Sequence, residues 1–197
     1  MTYVTALMIY MFISADFKKN SLPYLPCSPI PFIYQKSYSG NDLKMFLDKP
    51  TYRNIGYDYD DTINTHLYGA GVKEQTVNKK IKQKIIKDFM LERHVFVISN
   101  RNRGEIYPVM DFLIKNFGAE YSKKMTVILL GGSNEKKFNY IRSNNIDVFY
   151  GDSDSDIQNA IIGGAIPVRV LRNKRSTDKL GVHIGKFGEY FLTCSQQ

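Results

Sequence analysis

Asp58 and Asp60 stand two residues apart in Asn54-Ile55-Gly56-Tyr57-Asp58-Tyr59-Asp60-Asp61-Thr62. Side chains at i and i+2 of an extended segment point the same way, so this pair can act on one bound group. Three further segments follow in order. Ser99-Asn100-Arg101 comes after Val95-Phe96-Val97-Ile98, Lys137 after Val127-Ile128-Leu129-Leu130-Gly131-Gly132, and Gly151-Asp152-Ser153-Asp154-Ser155-Asp156 after Val148-Phe149-Tyr150. A carboxylate attacks phosphorus once its own charge and that of the phosphate are screened. A hard divalent cation held by oxygens does this, and Mg²⁺ uses one or two carboxylates together with water and substrate oxygen. Asp58 is the candidate nucleophile. Asp60 is the candidate acid that protonates the leaving alkoxide and the base that then deprotonates the attacking water; its backbone carbonyl can also face the metal. Ser99 and the N–H groups of the turn after it suit phosphate oxygens, and Arg101 the phosphate or the leaving group. Lys137 can neutralise phosphate and nucleophile together, with Lys136 its rival. Asp152 is the expected second metal carboxylate. Asp156, four residues on, supports the metal shell or orients Lys137. Asp154 reads as a helix N-cap, and Asp61 and Thr62 as caps of the turn leaving the first strand.

Each motif ends an apolar run, and the runs alternate with helical patterns. The spacing predicts strand 54–59, helix 74–92, strand 95–99, helix 104–117, strand 126–130, helix 134–144, strand 147–151, helix 154–162 and strand 166–171. Such alternation argues an α/β fold, a three-layer sandwich with a doubly wound parallel sheet. Crossovers in such sheets are right-handed, and sites form outside the carboxyl ends of the strands, where all four motifs fall. A nucleotide-binding or receiver-type domain also combines acids, a hydroxyl and a lysine. Receiver domains place the paired acids nearer the N-terminus and lack the Gly-Asp-x-x-x-Asp segment.

At 197 residues, with 43% hydrophobic residues, the chain has enough material for one core domain over 51–197. Residues 16–50 hold five of the seven prolines and read as an extended arm, with a short helix at 41–47. Residues 1–15 are apolar, uncharged and short for a bilayer, and read as a signal-peptide core cut after Ala15. An uncleaved anchor and a buried N-terminal segment are the other readings, and without export the chain is cytoplasmic. Cys27 and Cys194 show no metal spacing; they pair only in an exported protein. A net charge of +8 favours anionic partners, whereas nothing supports sequence-specific nucleic-acid binding. The lysines of 74–92 read as a solvated helix face opposite Val77, Ile81, Ile85, Ile86 and Phe89. His66, His94 and His183 are scattered and read as surface or packing residues.

The four motifs together resemble the haloacid dehalogenase superfamily, whose pattern is Asp-x-Asp-x-Thr, Ser or Thr, Lys, then an acidic cluster. More narrowly, the chain resembles the class B bacterial acid phosphatases. Asp58-Tyr59-Asp60-Asp61-Thr62 and the segment from Phe149 to Ile157 match that family. So does a tail outside the general signature: Arg169-Val170-Leu171-Arg172, Ser176-Thr177-Asp178-Lys179 and Gly185-Lys186-Phe187-Gly188-Glu189. The resemblance spans residues 29–191. It implies an exported, Mg²⁺-dependent homotetramer acting on small phosphomonoesters, nucleotides included, and transferring phosphate to alcohols. It makes Asp58 the nucleophile, Asp60 the acid/base, Asp58, Asp60 and Asp152 the metal ligands, and Ser99, Asn100, Arg101 and Lys137 the phosphate site. Three departures stand out. Thr-Gly-Arg is replaced by Ser99-Asn100-Arg101, and Lys-Pro by Lys179-Leu180. The cap segment is cut to Ile63–Lys73, with Tyr68 as its one aromatic. The shortened cap implies an open site that admits larger substrates. A phosphatase of nucleic-acid ends and a non-catalytic binding protein on the same fold are the alternative functions.

Overall fold

The computed structural model of the chain describes residues 30–31, 48–66, 75–132, 137–171 and 183–192. Residues 1–15, the 41–47 helix, both cysteines, Lys136 and Tyr68 lie outside the described residues, and the arm is described only at 30–31 and 48–50. In chain order the strands and helices are β1 (Ile30–Pro31), β2 (Asn54–Tyr57), β3 (Asn64–His66), β4 (Gln75–Val77), α1 (Lys79–Met90), β5 (His94–Ser99), a 3₁₀ turn (Arg103–Glu105), α2 (Ile106–Phe117), α3 (Ala119–Lys124), β6 (Met125–Leu129), α4 (Lys137–Ser143), β7 (Val148–Gly151), α5 (Asp154–Gly163), β8 (Ile166–Val170) and β9 (Tyr190–Leu192).

The main sheet runs β1-β9-β8-β7-β2-β5-β6. Six of its strands are parallel, and β1 pairs antiparallel with β9 at one edge. β2 is central, with β5 on one side and β7 on the other, so chain order reverses across it. This is the switch point at which a crevice opens outside the strand ends. Side chains alternate across the sheet and split the core in two. Val95, Val97, Val148, Tyr150, Ile55 and Tyr57 face a layer containing Ile81 and Ile85 of α1 and Val109 and Leu113 of α2. Phe96, Ile98 and Phe149 face the other layer, with Ile141 of α4 and Ala160 of α5. The three-layer α/β sandwich expected from the alternation is the fold observed.

Several boundaries differ. The first strand stops at Tyr57 rather than residue 59, and the chain then turns through Asp61 at φ 58°. The helix expected over 74–92 starts only at Lys79, because Gln75–Val77 forms β4 and pairs antiparallel with β3. Val77 fits the apolar helical period, but it and Thr76 are β-branched and the β3 partner is at hand. Asn78 then caps α1, its side chain accepting from the N–H groups of Lys80 (3.1 Å) and Ile81 (3.3 Å). The short hairpin, α3 and β9 had no clear signal; each is three to six residues long. Among the described residues, no helix is long and apolar enough to cross a membrane.

Candidate active site

Asp58 is the first residue beyond β2 and is 4% exposed. Its N–H donates to the Tyr150 carbonyl (2.8 Å), so the end of β7 fixes its backbone. Lys137, the first residue of α4 and 3% exposed, donates from Nζ to Asp58 and to Asp156 Oδ1 (2.6 Å). Asp58, Asp152 and Asp156 bring one carboxylate oxygen each to within 4.8 Å of one another. All three are buried; Asp58 and Asp156 share the Lys137 ammonium, and Asp152 lies beside them. Burial pushes the Asp58 carboxyl well above its usual range, and the charges of Asp156 and Asp152 add to this against the pull of Lys137. Burial acts on Asp156 in the same sense, but Lys137 and the hydrogen bonds from Ser153 outweigh it and hold that carboxyl below its usual range. Burial opposes the charge on Lys137, yet Asp156 and Asp58 together raise its pKa. A buried set of hard oxygen donors with excess negative charge fits a hard divalent cation.

The remaining expected residues form a neighbouring cluster. Asp60 accepts from Ser99 Oγ (3.0 Å) and from Arg101, whose Nε lies 3.0 Å from both oxygens and whose Nη2 lies 2.8 Å from Oδ1. Asp60 thus brings its carboxylate to Ser99 and Arg101, not to the acidic triad. Arg101 also donates to Glu105 Oε2 (2.7 Å) and lies 5.2 Å from the Tyr59 ring centre. Asn100 is exposed, and its carbonyl accepts from the N–H of Gly132 (3.0 Å). That bond ties the turn after β5 to the turn after β6.

Asp154 is not the N-cap of α5. That place belongs to Ser153, whose Oγ accepts from the Asp156 N–H (3.2 Å). Asp154 is drawn instead to Arg169 Nη2 (3.0 Å) and His183 Nδ1 (2.6 Å), partners far along the chain that no local cap rule contains. His183 is accordingly partnered, although its sequence surroundings gave no such sign. Glu105 was also missed; its i, i+4 spacing from Arg101 was the available signal. Gly151 has a local reason. A Cβ there would lie 2.4 Å from the Cβ of Asp156, so only glycine lets that carboxylate fold back over the end of β7.

Also at hand is an open hollow of about 440 Å³ lined by Phe89, Glu92, Arg93, His94, Lys124 and Thr126. It lies at the amino ends of β5 and β6, opposite the carboxylates, and holds none of the residues above.

A doubly wound sheet with an Asp-x-Asp pair leaving its central strand, a buried lysine and an acidic triad is the architecture of the haloacid dehalogenase superfamily. No protein-family model matches the chain. Its curated relatives include a class B acid phosphatase from Salmonella typhi, 30% identical over 187 residues, spanning 90% of this chain and 77% of that protein. Another, from Edwardsiella ictaluri, is 44% identical over 70 residues. That match spans 36% of this chain and 29% of the relative, and a third, from Salmonella arizonae, spans 64% and 54% at 30% identity. Among solved structures, a cobalt-bound deoxy-D-mannose-octulosonate 8-phosphate phosphatase from Haemophilus influenzae superposes with a TM-score of 0.42 at 17% identity, covering 61% of this chain and 70% of that one. The chain belongs to the class B acid phosphatase family.

Proposed function

We propose that the protein is a Mg²⁺-dependent acid phosphatase that hydrolyses phosphomonoesters, mononucleotides among them, through a phosphorylated Asp58. The observation that carries this reading is the buried cluster of Asp58, Asp152 and Asp156, with Lys137 bonded to the first and last of them. Family membership supports it independently. Asp58, Asp152 and the backbone carbonyl of Asp60 would hold the metal, with Asp156 behind them orienting Lys137. When bound, the metal supplies the positive charge that lets an anionic nucleophile meet an anionic phosphate.

In the reaction, an Asp58 carboxylate oxygen forms the new bond to phosphorus as the ester oxygen leaves. Asp60 gives that oxygen its proton and then takes one from the water that attacks the acyl phosphate, releasing phosphate and restoring Asp58. Ser99, the backbone of Asn100, Arg101 and Lys137 bind the phosphate oxygens. Arg101 grips Asp60 on one side and Glu105 on the other. A phosphate dianion competes for that guanidinium, and its transfer to substrate frees Asp60 for proton transfer. Where an alcohol replaces water, the same intermediate yields a new phosphoester. The same kinship supports a homotetramer, and export if residues 1–15 act as a signal peptide.

The test is turnover of an aryl phosphate with added Mg²⁺, with chelator, and with Asp58→Asn. Acid quenching should trap phosphate on the parent protein and none on the variant. Turnover that survives Asp58→Asn rejects Asp58 as the nucleophile; no Mg²⁺-stimulated turnover of any phosphoester rejects the enzyme reading and leaves a binding protein. The +8 charge and the short Ile63–Lys73 segment favour a second substrate class, phosphorylated oligonucleotide ends. Comparison with the matching mononucleotide decides between the two.

A further inference from the structure

Arg169 lies in β8, the strand that follows the last acidic motif and its helix, and is fully buried. Burying a guanidinium is costly unless its donors are used. Here Nε donates to Glu189 Oε1 (2.6 Å), Nη1 to the Asp152 carbonyl (3.0 Å) and Nη2 to Asp154 Oδ1 (3.0 Å). Glu189 is fully buried too, and takes the N–H groups of Gly185 (3.0 Å) and Phe187 (3.0 Å). Asp154 takes the N–H of His183 (2.7 Å) and its Nδ1 (2.6 Å). One planar fork therefore ties three pieces together: the 183–189 segment, β8, and the loop carrying Asp152. β8 pairs in register with β7, placing Arg169 opposite Gly151, the residue before Asp152.

We propose that Arg169, anchored by Glu189, is a positioning residue that fixes the Asp152 peptide so that its carboxylate is preset for the metal. This rests on the metal-dependent reading above. A guanidinium serves where an ammonium would not, because its fork reaches a carboxylate on one edge and a carbonyl on the other in fixed geometry. The 183–189 segment is thereby part of the metal-holding apparatus, although it supplies no ligand.

The test is Mg²⁺ titration calorimetry on the full chain, with Asp152→Asn as control. Arg169→Lys keeps the buried charge pair but loses the fork. Arg169→Met with Glu189→Gln removes both fully buried charges, and Asp154 keeps His183 as its partner, so no orphaned ion unfolds the core. Each should weaken Mg²⁺ binding by about 10–100-fold, the range for groups that orient metal ligands. In both, kcat at saturating Mg²⁺ and KM for an aryl phosphate should return to parent values, which general destabilisation does not produce. His183→Ala reports on the same tie from the surface, since its ring is 63% exposed, and should weaken binding by a smaller factor. If Asp152→Asn weakens Mg²⁺ binding and these variants bind as the parent does, the positioning role is wrong and the metal reading stands. If Asp152→Asn itself binds Mg²⁺ normally, both are wrong.

Discussion

Two buried aspartates, Asp58 and Asp88, sit on opposite faces of the same sheet and do opposite work. Asp88 in α1 is fully buried and accepts from Tyr57 Oη, Lys84 Nζ and Arg93 Nη1 (2.9 Å). Arg93 also donates to the Lys49 carbonyl (2.9 Å), and Tyr57 stacks on Tyr150 with ring centres 4.9 Å apart. Two cations surround that carboxylate. Asp58, the residue next to Tyr57, shares one cation with Asp156 and has Asp152 beside it. Burial alone therefore does not distinguish a structural acid from a reactive one. Charge balance does: Asp88 is compensated and fixed, whereas the Asp58 cluster is acid-rich, with the excess negative charge that suits a cation from outside.

Breaking the comparison at Asp58 should have the largest effect. Asp58→Asn should lower aryl phosphate turnover by about 10⁴-fold or more, as loss of a nucleophile does. Its urea midpoint should hold or rise, because one of three repelling carboxylates is gone. Asp88→Asn should do the reverse. It leaves Lys84 and Arg93 with Asp48 as the remaining anion, 3.8 Å from each, and should cost about 3 kcal/mol of stability, read by urea unfolding. Turnover per folded molecule should persist.

Alkaline titration sharpens the contrast further. Burial, and then the charge on Asp88, hold the phenols of Tyr57 and Tyr150 well above the usual 10.0. In the unfolded chain they ionise near that value, so the folded state binds more protons above it. Stability is full below pH 10.0 and falls as pH climbs beyond, by about 1.4 kcal/mol per unit for each tyrosine. Urea midpoints across that range should show the fall, and Tyr57→Phe should flatten it. The smallest effect is expected at the border of the acid-rich site. Gly151→Ala sets a methyl against Asp156. It should cost about 1–3 kcal/mol by overpacking and weaken the Mg²⁺-induced rise in melting temperature.

The pattern of apolar runs and helical periods made the sheet, its parallel sense and its two helical layers legible, because each run was long enough to show its period. β3, β4 and β9 were not legible: three residues carry no period, and Val77 satisfies a helical register as well as a strand one. In the site, residue order placed Asp58, Asp60, Ser99, Lys137 and Asp152 at strand ends without any coordinates, since a parallel sheet brings every carboxyl end to one edge. Within that edge, the sequence could not divide the acids among their partners. Asp154 has the chemistry of a helix cap, and Ser153 beside it takes the cap. Lys136 and Lys137 are equal by type; the structure brings Lys137 to Asp58. Sequence by itself determined the edge on which the site lies and most of the side chains there, Glu105 excepted, because alternation and strand direction are local properties repeated along the chain. Tertiary structure alone decided how charge is shared in the site: one lysine between Asp58 and Asp156, and Arg169 joining Glu189 to the Asp152 loop. Coulomb and hydrogen-bond energies depend on distances between residues 15 to 79 positions apart, which no local pattern encodes.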